Sequence, residues 1–146
     1  MPRSLAALLA AFLLALGLAA CGGDSESDSG AASQAAYRAW IDGYAAGIGA
    51  RTAVVVLEPD ALAGMGCLSA NDQAARLELI RYAVNAFGAL GGTAVYIDAG
   101  NNRWQSPATM ASRLTAAGIE RAAGFALNVS NFFATAEESR YGDAIS

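Results

Sequence analysis

The sequence lacks histidine and holds only two cysteines among its 146 residues. Without histidine, Ser-His-Asp catalysis, Cys-His catalysis and histidine-ligated metal sites are excluded. Two cysteines are too few for a zinc cluster or a disulfide framework. All nine basic residues are arginines, and 13 acidic residues outnumber them, so the net charge is −4 and no basic cluster is available to bind nucleic acid. Any chemistry must rest on carboxylates, amides, hydroxyls and aromatic rings, and we expect no metal and no cofactor.

The N-terminus has the pattern of an export signal. Arg3 precedes an apolar run from Leu5 to Ala20, which is shorter than the ~20 residues of a membrane span and is typical of a signal peptide. The run ends in Leu18-Ala19-Ala20-Cys21, which resembles the lipobox of bacterial lipoproteins. We therefore predict a signal peptide at residues 1–20 and a chain anchored by a lipid on Cys21 to the outer face of the bacterial cytoplasmic membrane. Secretion without a lipid is the alternative.

After this segment the sequence divides into a tether and one folded domain. Residues 21–36 are small, polar and acidic, which predicts a flexible tether. Residues 37–146 are long enough for one domain. Apolar spacing, caps and continuous apolar runs predict four helices and three strands in alternation. The helices are expected at 37–48, 71–90, 106–118 and 137–145, and the strands at 52–57, 93–97 and 124–129.

This order predicts an α/β fold with a parallel sheet covered by helices. The strands are continuous apolar runs, which is typical of strands buried on both faces. In the helix at 71–90 the expected apolar stripe is narrow, because Arg81 interrupts it. The stripe consists of Leu77, Ile80, Val84 and Phe87.

Polar residues follow each predicted strand. Asp60 follows the first strand and Asp98 the second, and the third finishes in Asn128, Ser130 and Asn131. Because active sites of parallel α/β folds form at the carboxyl ends of the strands, these side chains are expected to converge. Taken singly, Asp60 could cap a helix and Asp98 could begin a turn. Two carboxylates together suggest glycoside hydrolysis, in which one acid protonates the leaving oxygen and another carboxylate assists water or stabilises charge.

Trp104 lies six residues beyond Asp98, in the loop after the same strand. Its indole could stack on a sugar ring there, or it could simply pack in the core.

Several segments together resemble glycoside hydrolase family 6, and in particular its bacterial endoglucanases. The matching segments are YRAWIDGYAAGIG, VVVLEPDALAGM, AVYIDAG with the later tryptophan, and GFALNVSNF. The resemblance implies hydrolysis of β-1,4-glucan with inversion of configuration, and a distorted (β/α) barrel. Because a barrel of that kind needs about 250 residues, we expect a partial barrel of about three parallel βα units, truncated at both ends.

The resemblance also implies roles for individual residues. Asp60, in E-P-D, matches the general acid, whose pKa must be raised by a neighbouring carboxylate and by low solvation. Asp98, in Y-I-D-A-G, matches a cleft aspartate that shapes the charge around the reacting sugar. Trp104 matches the tryptophan that stacks on a glucosyl unit on the leaving-group side.

The implied substrate contacts come from three asparagines. Asn131 matches an asparagine that hydrogen-bonds substrate, and Asn128 is a weaker candidate beside it. Asn101 stands where many relatives have histidine, and we expect it to bind a sugar hydroxyl without titrating.

An R-D-C motif of the family is missing before YRAWIDG, and so are the C-terminal strands. In the family, the cysteine at the place of Cys67 pairs with the cysteine of R-D-C; with Cys21 assigned to the lipobox, Cys67 is expected to be unpaired. An open sheet would leave one face partly uncovered, and self-association is therefore possible. The residues expected to lose cover are Val54, Val56, Val95 and Ile97. A lipid-anchored glucan-binding module without catalysis and a non-functional fragment are the alternatives to an active glucanase.

Overall fold

The computed structural model describes the backbone of residues 9–13 and the whole of residues 33–146. Cys21, residues 22–32 of the predicted tether and residues 1–8 and 14–20 of the predicted signal peptide lie outside this part. Residues 33–36 of the predicted tether are described, and the first helix begins among them. In the described part, no helix is both long and apolar enough to cross a membrane.

Helices and strands alternate along the described chain. The strands are β1 (Leu9–Leu13), β2 (Ala53–Leu57), β3 (Thr93–Asp98) and β4 (Gly124–Ala126). The helices are α1 (Gln34–Ile48), α2 (Ala70–Gly88), α3 (Pro107–Ala116) and α4 (Thr135–Ile145). Short 3₁₀ helices occupy Ala63–Cys67 and Ile119–Arg121.

The strands form one parallel sheet in the order β1-β2-β3-β4. The α/β class and the parallel sheet are therefore confirmed. The sequence predicted three strands, and the structure has a fourth, because residues 9–13 pair with the side of β2 that faces away from β3. Because all strands run the same way, their carboxyl ends lie at one edge of the sheet, where Leu57, Asp98 and Ala126 end β2, β3 and β4.

The two faces of the sheet are covered unequally. In β2, Ala53, Val55 and Leu57 are buried, whereas Val54 and Val56 between them are half-buried. Burial of every strand on both faces was therefore a wrong expectation. The strand register aligns Val55 with Val95 and Leu57 with Ile97.

Val95 and Ile97 thus lie on the covered face and are 2% and 0% exposed. The expectation that both would lose cover was wrong. On the other face, Tyr96 is half-buried, opposite Val56.

Side chains of Ser33, Ser69 and Ser106 each accept a hydrogen bond from a backbone N–H in the first turn of α1, α2 and α3. The helix α1 begins at Gln34, three residues before the predicted start, because Ser33 caps it within the predicted tether. Three of the four residues predicted for the apolar stripe of α2, Ile80, Val84 and Phe87, are buried. Arg81 is exposed and Leu77 half-buried, and the buried positions are Arg76, Leu79, Ile80, Ala83, Val84 and Phe87.

Cys67, at the end of the first 3₁₀ helix, is disulfide-bonded. The expectation of an unpaired thiol was therefore wrong. Its partner lies outside the described residues.

Candidate active site

The segment that follows β2 has an unusual backbone. Glu58 and Asp60 adopt φ values of 51° and 69°, in the left-handed region that residues other than glycine rarely occupy. Backbone hydrogen bonds close the turn, from Ala61 N to Glu58 O at 3.0 Å and from Gly64 N to Asp60 O at 2.8 Å. Such conformations cost on the order of 1–3 kcal/mol each and cluster at functional sites.

Buried side chains hold this turn from the side of the helices. Glu58 is 3% exposed, and its Oε1 accepts a hydrogen bond from the Tyr37 hydroxyl at 2.7 Å. The buried guanidinium of Arg76 donates to Ala61 O at 3.2 Å. Burial and the neighbouring Glu58 carboxylate raise the pKa of Tyr37, so its hydroxyl stays a donor. Glu58 therefore fixes the turn and does not face the cleft.

Asp98 lies beneath the turn and is 1% exposed. Its Oδ2 accepts hydrogen bonds from Asp60 N at 2.8 Å and from Gly100 N at 3.1 Å. Its Oδ1 is buried without a hydrogen-bond partner among the described residues. Burial raises the pKa of Asp98 to about 6, and the nearby Asp60 carboxylate adds to the rise, while the two backbone N–H groups oppose it. The two predicted carboxylates are thus joined through the backbone of Asp60.

A second left-handed pair lies in the segment after β4. Asn128 and Asn131 have φ values of 62° and 55°. The side chain of Asn128 binds both backbone groups of Phe133, accepting from its N at 2.8 Å and donating to its O at 3.0 Å. Between them, Ser130 Oγ donates to Asp60 Oδ1 at 2.9 Å. The loop therefore reaches across to the carboxyl group predicted to be the general acid.

The segment after β3 completes the site. Gly100 has φ 68°, and a Cβ there would lie 2.8 Å from Trp104 Cε3 and 3.0 Å from the Cβ of Ala63. Only glycine allows this close approach of the backbone to the indole. Asn101 is 1% exposed, and its Oδ1 accepts from Arg103 N at 3.0 Å.

These segments enclose a cleft of about 460 Å³ at the carboxyl edge of the sheet. Of the predicted site residues, Asp60, Trp104 and Asn131 line the cleft, together with Ala63, Gly64, Arg103 and Gln105. Asp98 lies behind Asp60 as a support. Asn101 and Asn128 do not line it, because the first is buried and the second is engaged with Phe133. Their predicted sugar contacts gain no support from this arrangement.

Sequence reasoning assigned no role to three residues around the cleft. Ser130 is 70 residues from Asp60 in the chain, so their contact could not be read from spacing. Gln105 donates to Ala63 O at 2.8 Å. Arg103 lies over the Phe133 ring at 4.7 Å and pairs with Glu137 at 3.6 Å. For Gln105 and Arg103, the sequence offered one indication of a role, namely that each is a polar residue next to Trp104.

The arrangement can deliver a proton to a bound molecule. Asp60 presents a half-buried carboxyl group to the cleft, and the Ser130 hydroxyl can donate to it when ionised or accept from it when protonated. In the described part, no group of three metal-ligating side chains is close enough to hold an ion. The cleft combines an acid, Asp60, with an aromatic wall, Trp104.

Several endoglucanases are similar to this chain in sequence and in structure. The chain is 48% identical over 126 residues to endoglucanase 1 of Streptomyces halstedii, and 43% identical over 126 residues to endoglucanase A of Cellulomonas fimi. Among solved structures, it matches the endoglucanase Cel6 of Mycobacterium tuberculosis, in complex with methyl-cellobiosyl-4-deoxy-4-thio-β-D-cellobioside, with a TM-score of 0.79 and 48% identity.

These matches cover much of this chain but less of the other proteins. They span 86% of this chain and 39% and 26% of the two endoglucanases, and 82% of this chain and 41% of the Cel6 structure. The family model named "Glycosyl hydrolases family 6" matches residues 17–144. The match thus begins within the predicted signal peptide and includes the predicted tether. By this match the chain belongs to glycosyl hydrolases family 6.

Proposed function

We propose that this chain carries the acid-catalytic part of a glucanase that cleaves β-1,4-glucosidic bonds in cellulose or a related β-glucan with inversion of configuration. The observation that carries the proposal is the position of Asp60. Its carboxyl group lines the cleft beside Trp104, its N–H is bound by buried Asp98, and its Oδ1 is bound by Ser130. This is the arrangement expected of a positioned general acid next to a sugar-stacking surface.

In the proposed mechanism, Asp60 gives its proton to the leaving glycosidic oxygen. Trp104 stacks on a glucosyl unit on the leaving-group side, and Asn131 hydrogen-bonds the substrate. The Ser130 hydroxyl donates to Asp60 Oδ1, which leaves the other carboxyl oxygen, Oδ2, to carry the proton toward the leaving oxygen. Inversion requires a water molecule on the opposite face of the sugar. Asp98 acts by fixing the backbone of Asp60 and by shaping the local charge.

The test is Asp60→Asn, assayed by release of reducing ends from a soluble β-1,4-glucan. Loss of the general acid is expected to lower turnover by about 10²–10⁴-fold. Cello-oligosaccharide binding should persist, because the amide is nearly isosteric with the carboxyl group. Asp143→Asn, at an exposed position on α4, is the matched control and should leave turnover unchanged. Equal turnover in Asp60→Asn and wild type would overturn the assignment.

The same assay separates the alternatives. Oligosaccharide binding by the wild type without any turnover would instead favour a glucan-binding module. Neither binding nor a cooperative thermal transition would favour a non-functional fragment.

We further propose that the protein is exported. A disulfide at Cys67 is typical of an oxidising compartment outside the cytoplasm. The other cysteine of the chain is Cys21, and we propose it as the partner. One sulfur cannot hold both a disulfide and a thioether-linked lipid. This pairing supports secretion over the lipid anchor that the sequence suggested.

Self-association is a further proposal about the same chain. Val54, Val56 and Tyr96 are half-buried apolar residues on the less covered face of the sheet. A second copy could cover them. Analytical ultracentrifugation tests this, and a monomer at all concentrations would contradict it.

A further inference from the structure

Arg113 lies in the last turn of α3, and its side chain binds the segment that follows β2. Its Nη1 donates to Leu62 O at 2.6 Å and to Ala63 O at 3.1 Å. Leu62 is fully buried, and Ala63 lines the cleft. The guanidinium therefore joins α3 to backbone that forms part of the cleft wall.

Three successive carbonyl groups of this backbone, those of residues 61–63, accept hydrogen bonds from side chains. Arg76 of α2 binds the first at 3.2 Å, and Arg113 binds the second and the third. Gln105, in the segment after β3, also binds the third at 2.8 Å. Two helices and one loop thus hold the same short stretch, which restricts rotation of its peptide units.

This stretch comes directly after Asp60 in the chain. The left-handed φ of 69° at Asp60 is a conformation that persists only where the surrounding structure holds it. Gly64 N donates to Asp60 O at 2.8 Å, so the backbone of Asp60 is also bound to the far end of the stretch. A shift of residues 61–63 would therefore turn the backbone of Asp60 and the carboxyl group that it presents to the cleft.

We propose that Arg113 is a positioning residue for the general acid, Asp60. By binding two successive carbonyl groups, it fixes the direction in which the Asp60 carboxyl group faces the leaving oxygen. The inference rests on the proposed function, because it requires Asp60 to donate a proton. Arg113 is not among the residues that line the cleft, so it acts on delivery of the proton and not on binding of the sugar.

The experiment compares two substrates that differ in their need for an acid. A glucosyl leaving group must be protonated, whereas dinitrophenolate is a weak base that leaves without a proton. Arg113→Ala in the full chain is expected to lower kcat on cellohexaose by about tenfold to hundredfold, because a small displacement of a catalytic group costs that much. Its KM for cellohexaose and its kcat on dinitrophenyl β-cellobioside should stay near the wild-type values.

The ratio of the two rates, measured on one sample, does not depend on how much of the variant is folded. Loss of folded protein lowers both rates by the same factor, so a merely structural role leaves the ratio unchanged. Arg113→Lys keeps a charged donor on a flexible stem and should give a ratio between those of Arg113→Ala and the wild type. Arg121→Ala is the matched control. This exposed arginine donates to Asn85 Oδ1 at 2.9 Å, and its loss should leave the ratio unchanged.

Asp60→Asn separates failure of this inference from failure of the proposed function. It should lose cellohexaose turnover and keep turnover of dinitrophenyl β-cellobioside. If it does so but Arg113→Ala leaves the ratio unchanged, or raises only KM, the positioning role is wrong and the general acid stands. If Asp60→Asn leaves both rates unchanged, or the wild type cleaves neither substrate, the proposed function is wrong and this inference fails with it.

Discussion

At the scale of single residues, Asp98 couples stability to pH. Its pKa is raised from 3.8 to about 6, chiefly by burial. Between roughly pH 4 and pH 6 the folded chain therefore keeps a proton that the unfolded chain has lost. Because the folded state binds more protons there, the free energy of unfolding falls as pH rises through this range. The fall is on the order of 3 kcal/mol, and it is complete above about pH 6.

Asp98→Asn should remove this dependence. The amide oxygen can still accept from Asp60 N and Gly100 N, and the variant carries no charge at any pH. Urea unfolding at pH 4 and pH 7 is the measurement. We expect the wild type to lose stability between the two values and Asp98→Asn to lose much less. Asp143→Asn serves as control, and parallel curves for wild type and Asp98→Asn would contradict the prediction.

At the scale of structural elements, the end of β3 depends on Gly100. Gly100→Ala would place a Cβ 2.8 Å from Trp104 Cε3, at a φ of 68° that alanine rarely adopts. The indole must then move out of the cleft wall. We expect a loss of the near-ultraviolet circular dichroism of Trp104 and a fall in stability of about 1–3 kcal/mol. Gly91→Ala is the control, because a Cβ there meets no atom within 4 Å. Unchanged spectra in both variants would contradict the prediction.

The same elements explain which features the sequence could predict. Residues at the carboxyl ends of parallel strands share one edge whatever the details of the fold, so Asp60 and Asp98 could be paired from their places at the ends of β2 and β3. The role of Asn128 could not, because it depends on Phe133, which approaches only after the loop turns back. Its left-handed backbone follows a strand that ends at Ala126, earlier than the apolar run suggested.

Burial was harder to predict than secondary structure. A run such as Ala53–Leu57 is apolar at every position, and its composition alone cannot distinguish the covered face from the half-buried one. The face became clear only from the register with Val95 and Ile97, which lie on the covered side. In α2, Arg76 is buried because its guanidinium binds the turn after β2. The spacing of apolar residues cannot predict that a charged residue is buried.

At the scale of the whole molecule, the two cysteines fit two mutually exclusive modifications, a lipid anchor on Cys21 or a disulfide bond between Cys21 and Cys67. The apolar N-terminus that ends at Cys21 has the pattern of a lipoprotein, whereas Cys67 is disulfide-bonded. The family match begins at residue 17 and so includes Cys21. A bridge between the two cysteines would close the loop 21–67, which the chain-entropy treatment values at about 4 kcal/mol of stability.

The prediction is that the exported protein contains this bridge and no lipid. Peptide mapping of the full chain without reductant should yield one species in which the peptides of Cys21 and Cys67 are joined, and reduction should separate them. Cys67→Ser is the informative variant, since it leaves the Cys21 sulfur free. Its thermal midpoint should fall to that of the reduced wild type, because both lack the same constraint. A Cys21 peptide that carries a diacylglyceryl group, in protein recovered from the membrane fraction, would instead establish the lipoprotein and refute the bridge.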